Sequence, residues 1–244
     1  MIKWSFNEFN EVGSTQAVLR NLGGLGAQEG TVVVARRQTA GKGRHGREWV
    51  SPEGGLYMSL LLWPPQTAIL QTLTLAASLA VVRGIESATG LKTGIRWPND
   101  VMVEEKKAAG VIAESSFTGQ GLTFVMVGIG VNCNSSVTSV EPSSPATSLA
   151  EELEQKTDLK KLRESILEAF GTVYDESLKG ADVTKSARDT IRTLGKSVVV
   201  TLKSGETLEG IARDIDQAGG LLLERNNGPV TLHAEDVERL REKV

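Results

Sequence analysis

The sequence is short of several residue types, and each shortage excludes a class of protein. It has one cysteine, Cys133, and two isolated histidines, which excludes an intramolecular disulfide framework and makes a zinc site a poor interpretation. The sequence has 27 Lys and Arg residues and 30 Asp and Glu residues, which give a net charge of −3. The protein therefore has no overall basic charge that would indicate nucleic-acid binding. The N-terminal residues lack the apolar run of a signal peptide. These features predict a cytoplasmic protein.

Long apolar runs free of charge are also missing, which argues against a membrane partner. The most apolar window, residues 67–85, contains Gln71, Arg83 and several threonines. We therefore expect a buried core helix there rather than a transmembrane helix. Hydrophobic residues make up 40% of the 244 residues, which is ordinary for a globular protein with one large domain or a medium and a small one.

The first 190 residues mix strand and helix patterns, which favours an α+β domain built on one sheet. Helical spacing at 67–88 ends near Gly90, a residue typical of helix C-termini, and recurs at 159–179. A Ser- and Pro-rich stretch at 134–146 predicts a surface loop. Six apolar runs predict strands, the last two joined by a glycine hairpin: 32–35, 56–63, 95–97, 101–103, 111–117 and 122–131.

The pattern changes in the last 50 or so residues. Short apolar runs divided by glycine-containing turns follow one another closely, and this spacing predicts a small β-barrel over residues 191–244, appended to a first domain of residues 1–190. The four runs lie at 198–202, 207–212, 220–224 and 230–233.

The most unusual segment is the glycine- and arginine-rich stretch at 41–47. Three glycines and three fixed cations in seven residues do not suit a buried element. They suit a mobile loop whose backbone closes on an anion while Lys42, Arg44 and Arg47 neutralise its charge. A solvated glycine-rich hairpin loop is the alternative that this segment alone leaves open.

Two later motifs, Arg96-Trp97-Pro98-Asn99-Asp100 and Lys106-Lys107-Ala108-Ala109-Gly110, complete a pattern with this loop. Together the three segments resemble the biotin protein ligases. Ser14-Thr15 and the Gly-Ile-Gly-Val-Asn run at 128–132 keep the same order, and the tail resembles the SH3-like C-terminal domain of that family. The resemblance implies a mixed-sheet catalytic domain of the biotin/lipoate protein ligase type.

The resemblance also implies a reaction. Such an enzyme activates biotin with ATP and Mg²⁺ to biotinyl-5′-AMP. It then transfers biotin to a lysine of a biotin carboxyl carrier protein domain, which is the expected partner. The physical demands are that two anions must meet, that charge on the transferring phosphoryl group must be offset, and that a reactive anhydride must be kept from water.

The resemblance assigns roles to particular residues. Lys107 stands where the family contacts the biotin carboxyl and the phosphate, and Arg44 where it holds the adenylate. Two roles are open for Asp100: it binds Mg²⁺ through water, or it orients the acceptor lysine. The biotin-binding residues implied are Ser14, Thr15, Gln38, Gly41, Lys42, Gly43, Arg44, Lys107 and Gly110. The residues implied on the ATP side are Arg44, Arg47, Trp49, Asn99, Lys107 and Asn132.

Two positions depart from the family pattern. Lys42 stands where many relatives have arginine, and Arg96 where lysine is usual; both keep the charge and change only the geometry of the contact. Lys106, one residue before Lys107, is expected on the opposite face of a strand. A buried structural role is the open alternative for Asn132.

Three other functions compete with this interpretation. A lipoate–protein ligase or octanoyltransferase is similar in fold but lacks the loop together with Trp-Pro-Asn-Asp. A DNA-binding ligase-repressor needs an N-terminal module, and only 13 residues precede Ser14, so we expect a monofunctional ligase with no nucleic-acid partner. A catalytically inactive binding module would not need the intact Arg44, Arg47, Lys107 and Asp100. The sequence leaves a homodimer open.

Overall fold

The computed structural model describes residues 2–118, 121–136 and 145–243. Its first sheet is built from β1 (Ser5–Val12), β2 (Thr31–Gln38), β3 (Leu56–Leu62), β4 (Gly94–Arg96), β5 (Asp100–Val103), β6 (Lys106–Thr118) and β7 (Gly121–Val131). The strand order is β1-β2-β3-β7-β6-β5-β4. Only the β1–β2 pair is parallel among these neighbours, so the sheet is mixed. The predicted α+β domain on one sheet is confirmed.

The six predicted strands of this sheet are all present, and one strand was missed. The missed strand is β1, an exposed edge strand whose residues do not alternate between buried and exposed. Strands β6 and β7 pair antiparallel as predicted, while the glycine turn at 119–120 and most of the predicted surface loop lie outside the described residues.

Helices cover both faces of the first sheet. They are α1 (Thr15–Gly24), α2 (Leu70–Thr89), α3 (Leu149–Leu153), α4 (Leu159–Leu178) and α5 (Val183–Ala187). Helix α1 lies against β2, β3 and β7 on one face, and α2 packs between the opposite face and α4. Successive side chains of a strand point to opposite faces. Leu60 of β3 therefore joins the α2 core, and Leu61 joins Leu19 of α1.

Helix α2 is the core helix predicted from the sequence. Residues 67–89, which include it, are long and apolar enough to cross a membrane, but 67% of that apolar stretch is buried inside the fold. The helix ends at Gly90, whose φ of 77° is left-handed and whose N–H donates to Glu86 O at 2.8 Å. Both the buried helix and its glycine end are confirmed.

The second sheet contains β8 (Ser197–Leu202), β9 (Thr207–Ile215), β10 (Leu221–Glu224), β11 (Val230–Leu232) and β12 (Val237–Glu242). All of its neighbours are antiparallel, in the order β11-β10-β9-β8-β12. The predicted small β domain is therefore present with one strand more than expected. Its closure into a barrel and the boundary at residue 190 stay predictions; Arg192 N still donates to Ile95 O of β4 at 2.8 Å.

The two sheets are joined through Trp97. Its indole Nε1 donates to Gly219 O in the second domain at 2.9 Å, and its backbone N donates to Thr193 Oγ1 at 2.9 Å. The ring is buried, and one hydrophobic core runs from Leu73 of α2 to Val198 of β8. This packing brings β12 beside the Trp-Pro-Asn-Asp motif, where it forms a wall of the site.

Candidate functional site

The site begins with glycines on the face of the first sheet that α1 only partly covers. Gly110 of β6 and Gly130 of β7 are direct cross-strand partners, and Gly128 pairs with Ile112 two residues along. The residues adjacent to them on these strands, such as Ala109 and Ile129, belong to the α2 core. Alternation therefore places the glycines on the α1 face, where their missing side chains leave room above the sheet.

Part of that room is occupied by Trp49 from the loop. A Cβ added to Gly130 would lie 2.5 Å from Trp49 Nε1, and one added to Gly110 would lie 3.0 Å from Trp49 Cζ3. Lys107 Nζ lies 5.1 Å from the centre of the indole ring, within the range of a cation–π interaction. The glycine pair is thus explained by the close approach of an indole rather than by a turn.

Around this point lies a cavity of about 920 Å³. It is bounded by the start of α1, the 41–47 loop, the glycine strands, the residues after Trp97 and strand β12. Of the residues predicted from the sequence, those that line it are Ser14, Thr15, Gln38, Lys42, Gly43, Arg44, Arg47, Trp49, Asn99, Asp100, Lys107, Gly110 and Asn132. Gly41 lies beneath the loop instead, where an added Cβ would be 2.5 Å from Trp49 O.

One end of the cavity is neutral and rich in hydrogen-bonding groups. Gln38 Oε1 accepts from Thr15 N at 2.8 Å and from Thr15 Oγ1 at 3.1 Å, and Gln38 Nε2 donates to Ser51 Oγ at 2.9 Å. Thr15 Oγ1 also lies 2.8 Å from Ser59 Oγ. Ser14 precedes α1 in extended conformation and makes no capping bond with its side chain. Its hydroxyl is therefore not committed to the helix.

The opposite end carries charge. Arg96 Nη2 contacts Asp100 Oδ2 at 2.7 Å, and Lys107 Nζ forms an ion pair with Asp100 Oδ1. All three side chains are less than a quarter exposed. Lys106 points away and pairs with Glu152 at 2.9 Å, so the predicted division between the two lysines is confirmed. Arg96, noted in the sequence only as a departure, holds one oxygen of Asp100.

The two cations control the charge state of Asp100. Burial alone would raise the pKa of this carboxyl, but Lys107 and Arg96 outweigh it, and the pKa lies below its ordinary value of 3.8. Asp100 is therefore an anion at neutral pH and a weak base. Both of its oxygens are in ion pairs, so it is not arranged as a direct metal ligand. No cluster of three or more His, Cys, Asp or Glu side chains suited to a metal occurs in the described residues.

The cationic loop is folded in this structure as a small hairpin. Gly43 N donates to Arg47 O at 2.8 Å, and Trp49 N donates to Gly41 O at 2.9 Å. His45 at its tip has a left-handed φ of 57°, a conformation that a non-glycine residue adopts at some cost. The loop thus forms a hairpin, and its closure on an anion stays a prediction.

The loop is held by the start of β12. Arg44 donates to the carbonyls of Ala234 and Val237, the latter at 2.9 Å, and to Asn99 Oδ1 at 3.3 Å. Arg47 Nη2 contacts Glu238 O and Oε1, each at 3.0 Å. Burial lowers the pKa of the Arg44 guanidinium, but an arginine stays charged. Arg44 is bound to neutral acceptors and keeps its charge for an anion, whereas the charge of Arg47 is partly offset by the Glu238 carboxylate.

The two predicted asparagines both have structural partners. Asn99 Nδ2 donates to Val111 O at 2.7 Å, and its Oδ1 accepts from Arg44. Asn132 Nδ2 donates to Thr147 O at 3.0 Å. The structural interpretation of Asn132 is therefore supported, while its contact with adenine stays a prediction. Cys133 next to it is buried, and burial raises the pKa of its thiol to about 12, so it does not act as a nucleophile.

Two parts of the site were missed from the sequence. Strand β12 lines the cavity, but its charged residues carry no strand alternation. Gln16 is buried in the same cavity. The signal for Gln16 was available, because it shares a helix face with Leu19 and Gly23, both buried. A polar residue on the buried face of a helix calls for a partner.

Comparison with known proteins gives two family matches. Residues 9–132 match the model of the biotin/lipoate A/B protein ligase family. Residues 193–239 match the biotin protein ligase C terminal domain. The matches cover the two sheets separately and in the observed order.

Individual proteins are similar over nearly the whole chain. The bifunctional ligase/repressor BirA of Bacillus subtilis is 38% identical over 232 residues, which are 92% of this chain and 71% of that protein. The biotin–[acetyl-CoA-carboxylase] ligase of Mycobacterium tuberculosis is 32% identical over 239 residues, 95% and 87% of the two chains. The structure of the biotin protein ligase from Aquifex aeolicus in complex with biotin and ATP superimposes with a TM-score of 0.85 at 29% identity, covering 98% of this chain and 99% of that one.

Proposed function

The chain belongs to the biotin/lipoate A/B protein ligase family, and we propose that its cavity activates biotin with ATP to biotinyl-5′-AMP. Biotin is then transferred to a lysine of a biotin carboxyl carrier protein domain. One observation carries this proposal: a single cavity joins a neutral, hydrogen-bonding end at Ser14 and Thr15 to a cationic end at Lys107. A cyclic urea suits the first end and a carboxylate beside a phosphate suits the second.

In the first step an oxygen of the biotin carboxylate bonds to the α-phosphorus of ATP, and the bond from that phosphorus to pyrophosphate breaks. Two anions must approach one another, which only nearby cations make favourable. Arg44 lines the cavity and is bound to neutral carbonyls, and Lys107 shares the single anion Asp100 with Arg96, so this group keeps a net positive charge. Preorganised charge of this kind stabilises the transition state. Asp100 holds the Lys107 ammonium in place at the cavity wall.

In the second step the amine nitrogen of the acceptor lysine attacks the acyl carbon. The bond from that carbon to the phosphate oxygen breaks, AMP leaves, and the amine proton passes to water. Asp100 is a weak base because its pKa is low, so we assign it the positioning of Lys107 and not proton removal. The two roles expected for it from the sequence, water-mediated Mg²⁺ binding and orientation of the acceptor lysine, stay predictions.

Mg²⁺ supplies charge neutralisation on the ATP phosphates in reactions of this kind. The ion-paired oxygens of Asp100 do not fit direct coordination, so a magnesium ion would be carried by the nucleotide itself. No step described above passes through the metal.

A lipoate or octanoate ligase is the nearest rival, because the family model covers those enzymes too. The match of residues 193–239 to the biotin protein ligase C terminal domain favours biotin.

The acceptor is proposed to be the carrier domain of acetyl-CoA carboxylase, since a similar protein is named for that activity. A cytoplasmic location is proposed on the single cysteine; the absence of a nucleic-acid partner and a homodimer stay open predictions.

The test is pyrophosphate release from ATP and Mg²⁺ with biotin, lipoate or octanoate as the acid. We expect release with biotin alone. Release with lipoate or octanoate in place of biotin would mean that the fold is right and the acid wrong. If the folded protein releases pyrophosphate with none of the three acids, the result would favour the alternative of a catalytically inactive binding module.

A further inference from the structure

Gln16 is a buried amide whose side chain has no hydrogen-bond partner among the described residues. Its side-chain Oε1 and Nε2 are both shielded from solvent and neither forms a hydrogen bond. The other buried side chains of this kind in the described residues have one such atom each. An unpaired buried amide costs free energy of folding, so a ligand is the natural place to look for its missing partners.

Gln16 is one of the residues that line the cavity. Gln16 occupies the second position of α1 and is 8% exposed. A Cβ added to Gly128 would lie 3.0 Å from Gln16 Nε2 and 3.0 Å from Ile112 Cγ1. The glycine therefore keeps open the space next to the amide, on the sheet face where the cavity lies.

Two of the neighbouring polar side chains, Thr15 and Gln38, are already bonded to one another. Gln38 Oε1 accepts two bonds from Thr15, and Gln38 Nε2 donates to Ser51. Thr15 is shared between Gln38 and Ser59. The N–H groups of a cyclic urea need hydrogen-bond acceptors. The acceptor atoms Gln38 Oε1 and Thr15 Oγ1 are already engaged in bonds within the protein. Gln16 has a free acceptor and a free donor side by side.

Resting on the proposed function, we infer that Gln16 recognises the urea of biotin and sets the preference for an acid that carries one. The edge of a cyclic urea presents an N–H donor next to a C=O acceptor, and a primary amide presents the complementary pair. Two parallel hydrogen bonds then form in one plane. Lipoate and octanoate lack the urea and leave the Gln16 amide unpaired, which makes them poor substrates.

The first test is Gln16→Met, which keeps the length of the side chain and removes both polar atoms. We expect the Kd for biotin to rise about 10- to 100-fold with kcat for pyrophosphate release nearly unchanged. The melting temperature of the ligand-free variant should stay the same or rise, because an unpaired amide has been removed. Gln28→Met is the matched control at an exposed position, and it should bind biotin like the wild type.

The second test reverses the preference. In 2-iminobiotin a guanidine replaces the urea, and a carboxylate pairs with a guanidinium through two charge-assisted bonds. We expect Gln16→Glu to bind biotin more weakly and 2-iminobiotin more tightly at neutral pH, changing the ratio of the two Kd values by about tenfold or more.

The outcomes separate this inference from the function on which it rests. Wild-type protein that releases no pyrophosphate with biotin would remove the proposed function, and the inference with it. Active wild type with unchanged biotin affinity in Gln16→Met would overturn the inference alone, as would a lower melting temperature at unchanged affinity. If Gln16→Met fails to fold, an unchanged ratio of Kd values in Gln16→Glu overturns it.

Discussion

At the scale of single residues, the charged end of the cavity depends on Asp100 standing between two cations. Arg96 takes one carboxylate oxygen and Lys107 the other. This arrangement was not predictable from the sequence, because the Trp-Pro-Asn-Asp and Lys-Ala-Ala-Gly motifs give residue types but no distances. The motifs did identify the residues that the fold brings together. The reason that they meet is the antiparallel pairing of β5 with β6.

Lys107→Ala should reduce biotin-dependent pyrophosphate release by about two powers of ten. A charge-assisted contact contributes about 1.5–3 kcal/mol, and each 1.36 kcal/mol changes a rate about tenfold. Lys106→Ala is the matched control, since the neighbouring lysine faces away and pairs with Glu152. Equal activity in the two variants would remove Lys107 from the mechanism. Because Lys107 is partly buried, each variant must also be checked for a cooperative melting transition.

Asp100→Asn should make the pH dependence of stability visible. The pKa of this carboxyl is lowered in the folded protein. Its stabilisation is therefore present above the ordinary value of 3.8 and is lost as pH falls through the lower folded value. Urea unfolding should show a less stable variant at neutral pH, with the difference in unfolding free energy shrinking below pH 3.8. A difference that does not change with pH would contradict the ion-pair assignment.

At the scale of elements, buried strands and core helices were predictable and exposed edges were not. Strands β3 and β7 are covered on both faces, so their sequences are nearly continuous runs of apolar residues. Strands β1 and β12 carry mostly exposed residues, so burial imposes no alternation on their sequence. Their strand structure comes from backbone pairing with β2 and β8, which leaves no hydrophobic pattern to detect.

The loop gives a matched pair of glycine substitutions. Gly41→Ala places a Cβ 2.5 Å from Trp49 O and 2.7 Å from Ser51 Oγ, whereas the nearest neighbour of a Cβ at Gly43 is Arg47 O at 3.7 Å. Overpacking of this kind costs about 1–3 kcal/mol. Gly41→Ala should therefore be cut faster by trypsin at the loop cations than Gly43→Ala. Equal cleavage rates would mean that the base of the hairpin is not packed as described.

At the scale of the whole molecule, the two sheets share one core and one site. The second domain contributes β12 to the cavity wall and backbone carbonyls to the loop arginines. The sequence predicted the second domain but not this contact, because carbonyl acceptors leave no residue signature. The contribution of both domains to one cavity could therefore be identified only from the three-dimensional structure.

Trp97→Phe should weaken the connection between the domains. It removes the bond from the indole nitrogen to Gly219 O and leaves space in a buried contact, a loss of about 1–3 kcal/mol. Trp63→Phe is the control, since its indole nitrogen donates to Ala27 O at an exposed position within the first domain. Calorimetry should show a lower melting temperature for Trp97→Phe only. Equal shifts for both variants would argue against a structural link at Trp97.

One cavity is proposed to convert biotin from the free acid to a protein-bound amide. The most direct measurement is the intact mass of a biotin carboxyl carrier protein domain after incubation with this protein, ATP, Mg²⁺ and biotin, beside a carrier whose acceptor lysine is replaced by arginine. We predict one added biotinyl group on the first carrier and none on the second. An unmodified carrier in the presence of measurable pyrophosphate release would contradict it, since adenylation would then occur without the transfer that the cavity is proposed to perform.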